Sequence, residues 1–137
     1  MGMVYENITL KNATDVGNFD RGDIKEGEVR QMKVLAMVDT GAWTLIINED
    51  MQQELGLGVK GERSVTLADS GTQICKVTEP VYIHWKDRSA VTRAAVLPGL
   101  EEVLLGAIPL EEMDVMVDPK RQQLVGVHGD EILYRLY

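Results

Sequence analysis

Cysteine is almost absent. Cys75 is the only one, so no disulfide can form within the chain, and a lone thiol fits a reducing cytoplasm better than an oxidising exterior. A surplus of positive charge is absent too: 14 Lys and Arg stand against 22 Asp and Glu, for a formal charge of -8. That balance excludes the clustered basic surface that nucleic-acid backbone or anionic lipid demands. Histidine occurs twice, at His84 and His128, far apart and without neighbours at metal-ligand spacing, so neither a zinc site nor a histidine-based triad is expected. Gly56, Gly58 and Gly61 lead into no Gly-Lys-Ser/Thr, which removes phosphate-loop nucleotide binding. Glu111, Glu112, Asp114 and Asp118 match no calcium loop and read as a solvated acidic edge. No apolar run approaches the ~20 residues of a membrane span, and residues 1–7 lack the basic start and apolar stretch of a secretory signal. The expectation is a soluble cytoplasmic protein without nucleic-acid or membrane partners, whose chemistry needs no cofactor.

What is present is a succession of short β-branched and apolar stretches punctuated by Gly, Asp, Asn, Ser and Pro, with no internal repeat, which predicts an all-β domain spanning 1–137. Residues 4–11 read as a first strand, and 12–28 as a polar, exposed connection with a turn at Asp20-Arg21-Gly22-Asp23. Residues 29–38 read as a strand whose last five, Val34-Leu35-Ala36-Met37-Val38, are continuously apolar and predict burial on both faces. Asn48 caps a short helix that ends before Gly56. Residues 63–67 and 73–78 predict a hairpin with a small polar tip, 81–85 and 89–97 a second strand pair, and 115–117 and 124–127 a third. Between the last two pairs, Val103-Leu104-Leu105-Gly106 is a short buried strand, and Pro109 opens a helical turn. The scattered methionines read mostly as core, and Cys75 as a small buried hydrophobe. The tail at 132–137 is too apolar to be idle at a free end and suggests pairing with a partner subunit.

The 34–38 run delivers one carboxylate, Asp39, into the turn Asp39-Thr40-Gly41, and Ala42, Trp43 and another apolar strand follow at once. A tripeptide this short arises by chance, and a turn aspartate often does no more than accept backbone hydrogen bonds. Its setting is unusual for a surface turn and suits a carboxylate carried into an interior cleft. The order Val38-Asp39-Thr40-Gly41-Ala42, then a hairpin with a small tip, then Leu104-Leu105-Gly106 followed by Leu110, resembles the retropepsin type of aspartic protease, more narrowly its bacterial single-domain members. The resemblance spans roughly residues 34–127.

The resemblance implies a closed, retropepsin-like β-barrel with one or two short helices, assembled as a homodimer. The chain is too short for two such lobes, and the motif occurs once. Asp39 would be the catalytic carboxylate and Thr40 would lock the paired loops across the dimer axis. Gly41 would permit close backbone approach, and Ala42 would border the substrate cleft. Residues 68–72 would form a flap with Asp69, Ser70 and Gly71 at its tip, Gly71 allowing the bend, and Leu105 and Gly106 would support the catalytic loop from behind. The chain ends, 4–10 and 132–137, would interleave in a shared sheet. Two Asp39 side chains sharing a proton would supply one base to activate water and one acid to protonate the scissile carbonyl of a peptide or protein substrate, without metal or covalent intermediate. Trp43 departs from the smaller or polar residue many members carry there, and the flap is less glycine-rich than a viral one. Two other readings stay open: a non-catalytic dimerising or peptide-binding module on the same fold, and an unrelated monomeric barrel in which the triplet is accidental.

Overall fold

A computed structural model describes residues 3–66 and 69–128. Seven strands build one sheet: β1 (Val4–Asn12), β2 (Gln31–Val38), β3 (Leu45–Ile47), β4 (Val59–Thr66), β5 (Thr72–Trp85), β6 (Arg88–Val96) and β7 (Val103–Leu105). Their order is β1-β2-β7-β3-β6-β5-β4, and β1 also pairs with β5. That second pairing, Thr9↔His84 to Asn12↔Val81, closes six strands into a barrel and leaves β4 outside the ring, bonded to β5 alone. The all-β barrel expected from the sequence is the observed architecture.

The barrel interior is filled by aliphatic side chains that alternate along the strands. Ile8 and Leu10 of β1, Leu45 and Ile47 of β3, Val81 and Ile83 of β5 and Leu105 of β7 are all buried, each contributing about 1.5–3 kcal/mol relative to exposure. The intervening Tyr82 and His84 point outward and stack at 4.6 Å, as a two-residue period requires. Cys75 is buried, and burial pushes its thiol pKa up. A small second sheet, β8 (Val115–Asp118) with β9 (Gln123–Gly126), is tied to the barrel through Glu6. Its Oε1 accepts from Trp85 Nε1 at 3.2 Å and its Oε2 from the Leu124 amide at 3.0 Å.

Three expectations need correction. The stretch 34–38 is not buried on both faces. Ala36 is fully buried, but its neighbour Leu35 is 57% exposed, because β2 lies in a barrel wall with one interior face. The 12–28 connection is not simply an exposed loop. It holds α1 (Ala13–Asp20), so with α2 (Glu49–Glu54) and α3 (Ala107–Glu112) there are three short α-helices among the described residues, not one or two. The acidic edge is not wholly solvated either: the Asp114 carboxylate lies 3.7 Å from Arg88 and 2.9 Å from His128. The tail at 132–137 lies outside the described residues. No helix among them is long and apolar enough to cross a membrane.

α1 exists because of Asn12 and Asp15. Asn12 Oδ1 caps the helix by accepting from the Asp15 amide at 3.0 Å, and its Nδ2 donates to Leu55 O at 2.9 Å beyond the end of α2. Asp15, buried at 7% exposure, accepts from Arg30 three times: from its amide at 3.0 Å, Nε at 2.8 Å and Nη2 at 3.0 Å. These bonds, chiefly those from the guanidinium, hold the Asp15 pKa below its ordinary 3.8. A carboxyl whose native pKa is depressed adds stability that is fully present above its unfolded pKa and is lost as pH falls through the native value. Replacing Asp15 by Ala is expected to lower the unfolding free energy at neutral pH by about 2 kcal/mol, the scale of a buried charge-assisted hydrogen bond left broken. In urea titrations followed over pH, that difference should hold to about pH 4 and shrink below it.

Candidate active site

β2 ends at Val38, and its parallel pairing with β7, Ala36↔Val103 to Val38↔Leu105, continues one bond further: the Asp39 amide donates to Leu105 O at 3.0 Å. The chain then turns sharply, with the Ala42 amide donating to Asp39 O at 3.1 Å. The carboxylate is half-buried and tied down on one side only. Its Oδ1 accepts from the Gly41 amide at 2.9 Å, while no protein donor reaches Oδ2 among the described residues. One oxygen is therefore fixed and the other is free to meet water or substrate.

The loop is braced from behind by the start of α3. A helix leaves its first amides without intrahelical acceptors, and here the amides of Ala107 and Ile108 donate to Ala42 O at 2.8 Å and Trp43 O at 3.0 Å. Gly106 lies directly under this junction. A Cβ built on it would stand 2.3 Å from Thr44 O, 2.6 Å from Ala42 O and 2.8 Å from Thr44 N, all backbone atoms that cannot swing aside. Thr44, buried, anchors the far end of the loop by donating from Oγ1 to Arg93 O at 2.9 Å.

A cleft of about 860 Å³ opens in front of Asp39. Gly41, Ala42 and Trp43 form one wall, residues 63–66 of β4 the opposite wall, and Ile46, Leu97 and Leu104 the apolar floor. Cys75 packs in the same cluster as Ile46. Across the cleft Arg63 stacks its guanidinium on Trp43 at 5.0 Å from the ring centre. Among the described residues, Asp39 is the one acidic residue lining this space. Asp39 and Thr40 also border a second, 460 Å³ hollow whose walls include Met3, Val4, Met37 and Val38.

Of the residues singled out from sequence, Asp39, Gly41 and Ala42 meet in the cleft, and Leu105 and Gly106 lie behind it. Thr40 is exposed on the side of the second hollow. Asp69, Ser70 and Gly71 form the turn joining β4 to β5, whose register runs from Val59↔Thr78 to Thr66↔Thr72. The bend falls one residue earlier than expected: Ser70 carries the left-handed backbone, φ +68°, while Gly71 donates its amide to Asp69 Oδ1 at 2.9 Å. An Asx-type bond of this kind stabilises a turn without glycine. Residues 67 and 68, the rest of the expected flap, lie outside the described residues. Arg63 was not foreseen. Only the β4–β5 register, which sets it opposite Cys75, brings it over Trp43, and no local pattern announces that.

The sequence matches the aspartyl protease family over residues 25–126, well over half of the chain. No curated protein is matched by sequence. Among solved structures, a retropepsin-like aspartic protease from Rickettsia conorii superposes with a TM-score of 0.52 at 21% identity, covering 86% of this chain and 78% of that one.

The Gly106 contact is testable on its own. Gly106→Ala should destabilise the fold by about 3 kcal/mol or prevent it from forming, as overpacking against fixed backbone does. Gly27→Ala, where an added Cβ meets nothing within 4 Å, is expected to leave the melting temperature nearly unchanged.

Proposed function

We propose, from the premise that this chain belongs to the aspartyl protease family, that it is an aspartic endopeptidase whose active site is completed by a second copy of itself. The observation that carries the proposal is the solitary carboxylate: among the described residues, Asp39 is the one acid lining the 860 Å³ cleft. Amide hydrolysis by carboxyl groups uses two, one ionised and one protonated. A twofold axis passing beside Asp39 supplies the second from the identical loop of the partner. The hollow lined by Met3, Val4, Met37 and Val38 gives that partner an apolar surface to cover.

In this reading each fold element has a task. The Gly41 amide orients Asp39 through Oδ1 and leaves Oδ2 toward the shared centre. One carboxylate takes a proton from the water held between the pair. The other, protonated, donates to the scissile carbonyl as the tetrahedral centre forms. Leu105 and Gly106 keep the loop from relaxing. Thr40 contacts its counterpart across the axis, and the turn at Asp69, Ser70 and Gly71 closes over the bound peptide. Peptide and protein chains are the substrate class, and the single buried thiol supports a reducing, cytoplasmic setting.

Asp39→Asn should lower peptide cleavage by about 10³-fold or more, the scale of a lost general acid–base pair, while leaving the melting curve nearly intact. Sedimentation of the wild-type protein should show a dimer, and a pepstatin-type inhibitor should bind at one per dimer. An Asp39→Asn protein that cleaves as well as wild type removes the mechanism. A folded dimer that neither cleaves peptides nor binds the inhibitor is a non-catalytic module instead.

A further inference from the structure

A third pocket, about 370 Å³, opens beside the main cleft. Trp43 and Arg63 line both the main cleft and this pocket. Its other charged lining residues are Lys60, Glu62 and Arg93, so three cations face one carboxylate, in a chain whose overall charge is -8. None of the three cations takes part in an ion pair among the described residues. An acidic protein that gathers unpaired cations at the side of its cleft leaves a local positive potential there, in contrast with the sign of its whole surface.

Arg63 is the group best prepared to use that potential. Its guanidinium carbon lies over the Trp43 ring, 5.0 Å from the ring centre, at the boundary between cleft and pocket, and a planar fork placed by such a contact loses less freedom when it binds a carboxylate bidentately. The Thr92 hydroxyl, 3.3 Å from Thr44 Oγ1, adds a polar group to the lining, and Ile108 and Val77 supply apolar surface for a side-chain stem.

We infer that the pocket beside Trp43 is a subsite for an acidic side chain of the peptide, with Arg63 as its principal ligand and Lys60 and Arg93 as supporting charges. The inference rests on the reading of the main cleft as a peptide site, and it names the substrate class: peptides carrying Glu or Asp at a fixed distance from the bond that is cut.

The test uses one peptide frame in which Glu, Gln or Lys is placed in turn at each position flanking the cleaved bond. Binding is read by fluorescence anisotropy on the full-length Asp39→Asn protein, and cleavage on wild type. At one position Glu should exceed Gln by about tenfold in both affinity and kcat/KM, with Lys weakest, and the advantage should fall as salt screens it. Lys60→Glu combined with Arg93→Glu should reverse the order of Glu and Lys. Arg63→Lys should keep part of the preference and Arg63→Glu none of it. Ratios between peptides on one variant are insensitive to how much of that variant is folded. Equal binding of Glu and Gln peptides at every position overturns the subsite, as does a preference that survives charge reversal, or no peptide binding at all. If Asp39→Asn selects Glu peptides yet wild type cleaves none, the subsite stands and the protease reading falls. If wild type cleaves every peptide alike, the reverse holds.

Discussion

The contact on which the rest of the site depends is between backbone and backbone, at Gly106. The loop after Asp39 and the start of α3 approach so closely there that no side chain fits between them. That closeness is what lets the first amides of α3 meet the carbonyls of Ala42 and Trp43, so a helix start and the Asp39 loop satisfy each other without a single capping side chain. The Asp39 amide is fixed by the next residue along, Leu105, on the same β7–α3 segment. One short stretch of chain thus sets the position of the carboxylate, the direction of the loop and the floor of the cleft.

Energetically the molecule divides into a ring and its attachments. The ring is aliphatic, closed through the double pairing of β1, and offers no free edge along most of its length. The attachments are held by polar contacts of high directionality: Asn12, Asp15 and Arg30 dock α1, Glu6 joins the small sheet, and Arg88 donates to Met113 O and Asp114 O at 2.9 and 2.7 Å beyond α3. Hydrophobic burial makes the barrel, and charge-assisted hydrogen bonds orient what surrounds it.

The parts visible in the sequence were those written in neighbouring residues. Asp39-Thr40-Gly41-Ala42, the Asn48 cap, the strand pairings and the Val103-Leu104-Leu105 strand follow from short patterns and are present. The separate strands expected at 73–78 and 81–85, however, are one continuous strand, β5, with a register shift between Val77 and Pro80. What could not be read was whatever depends on a distant partner. α1 is weakly amphipathic and contains Gly17, so its sequence looks like a loop, and it is held by Arg30, fifteen positions beyond Asp15. Leu35 is apolar and exposed because barrel curvature, not composition, decides which face of β2 is inside. Arg63 meets Trp43 only through strand register. The site's carboxylate was legible, whereas the wall facing it was not.

β4 stands outside the closed ring, bonded on one side only and nearly all exposed along its eight residues. None of its side chains belongs to the barrel interior, so the fold asks little of them. The cleft wall at 63–66 is therefore the region where letters can change at least cost to the architecture. A scaffold that separates its supporting ring from its reading surface in this way can be given new tastes without being rebuilt.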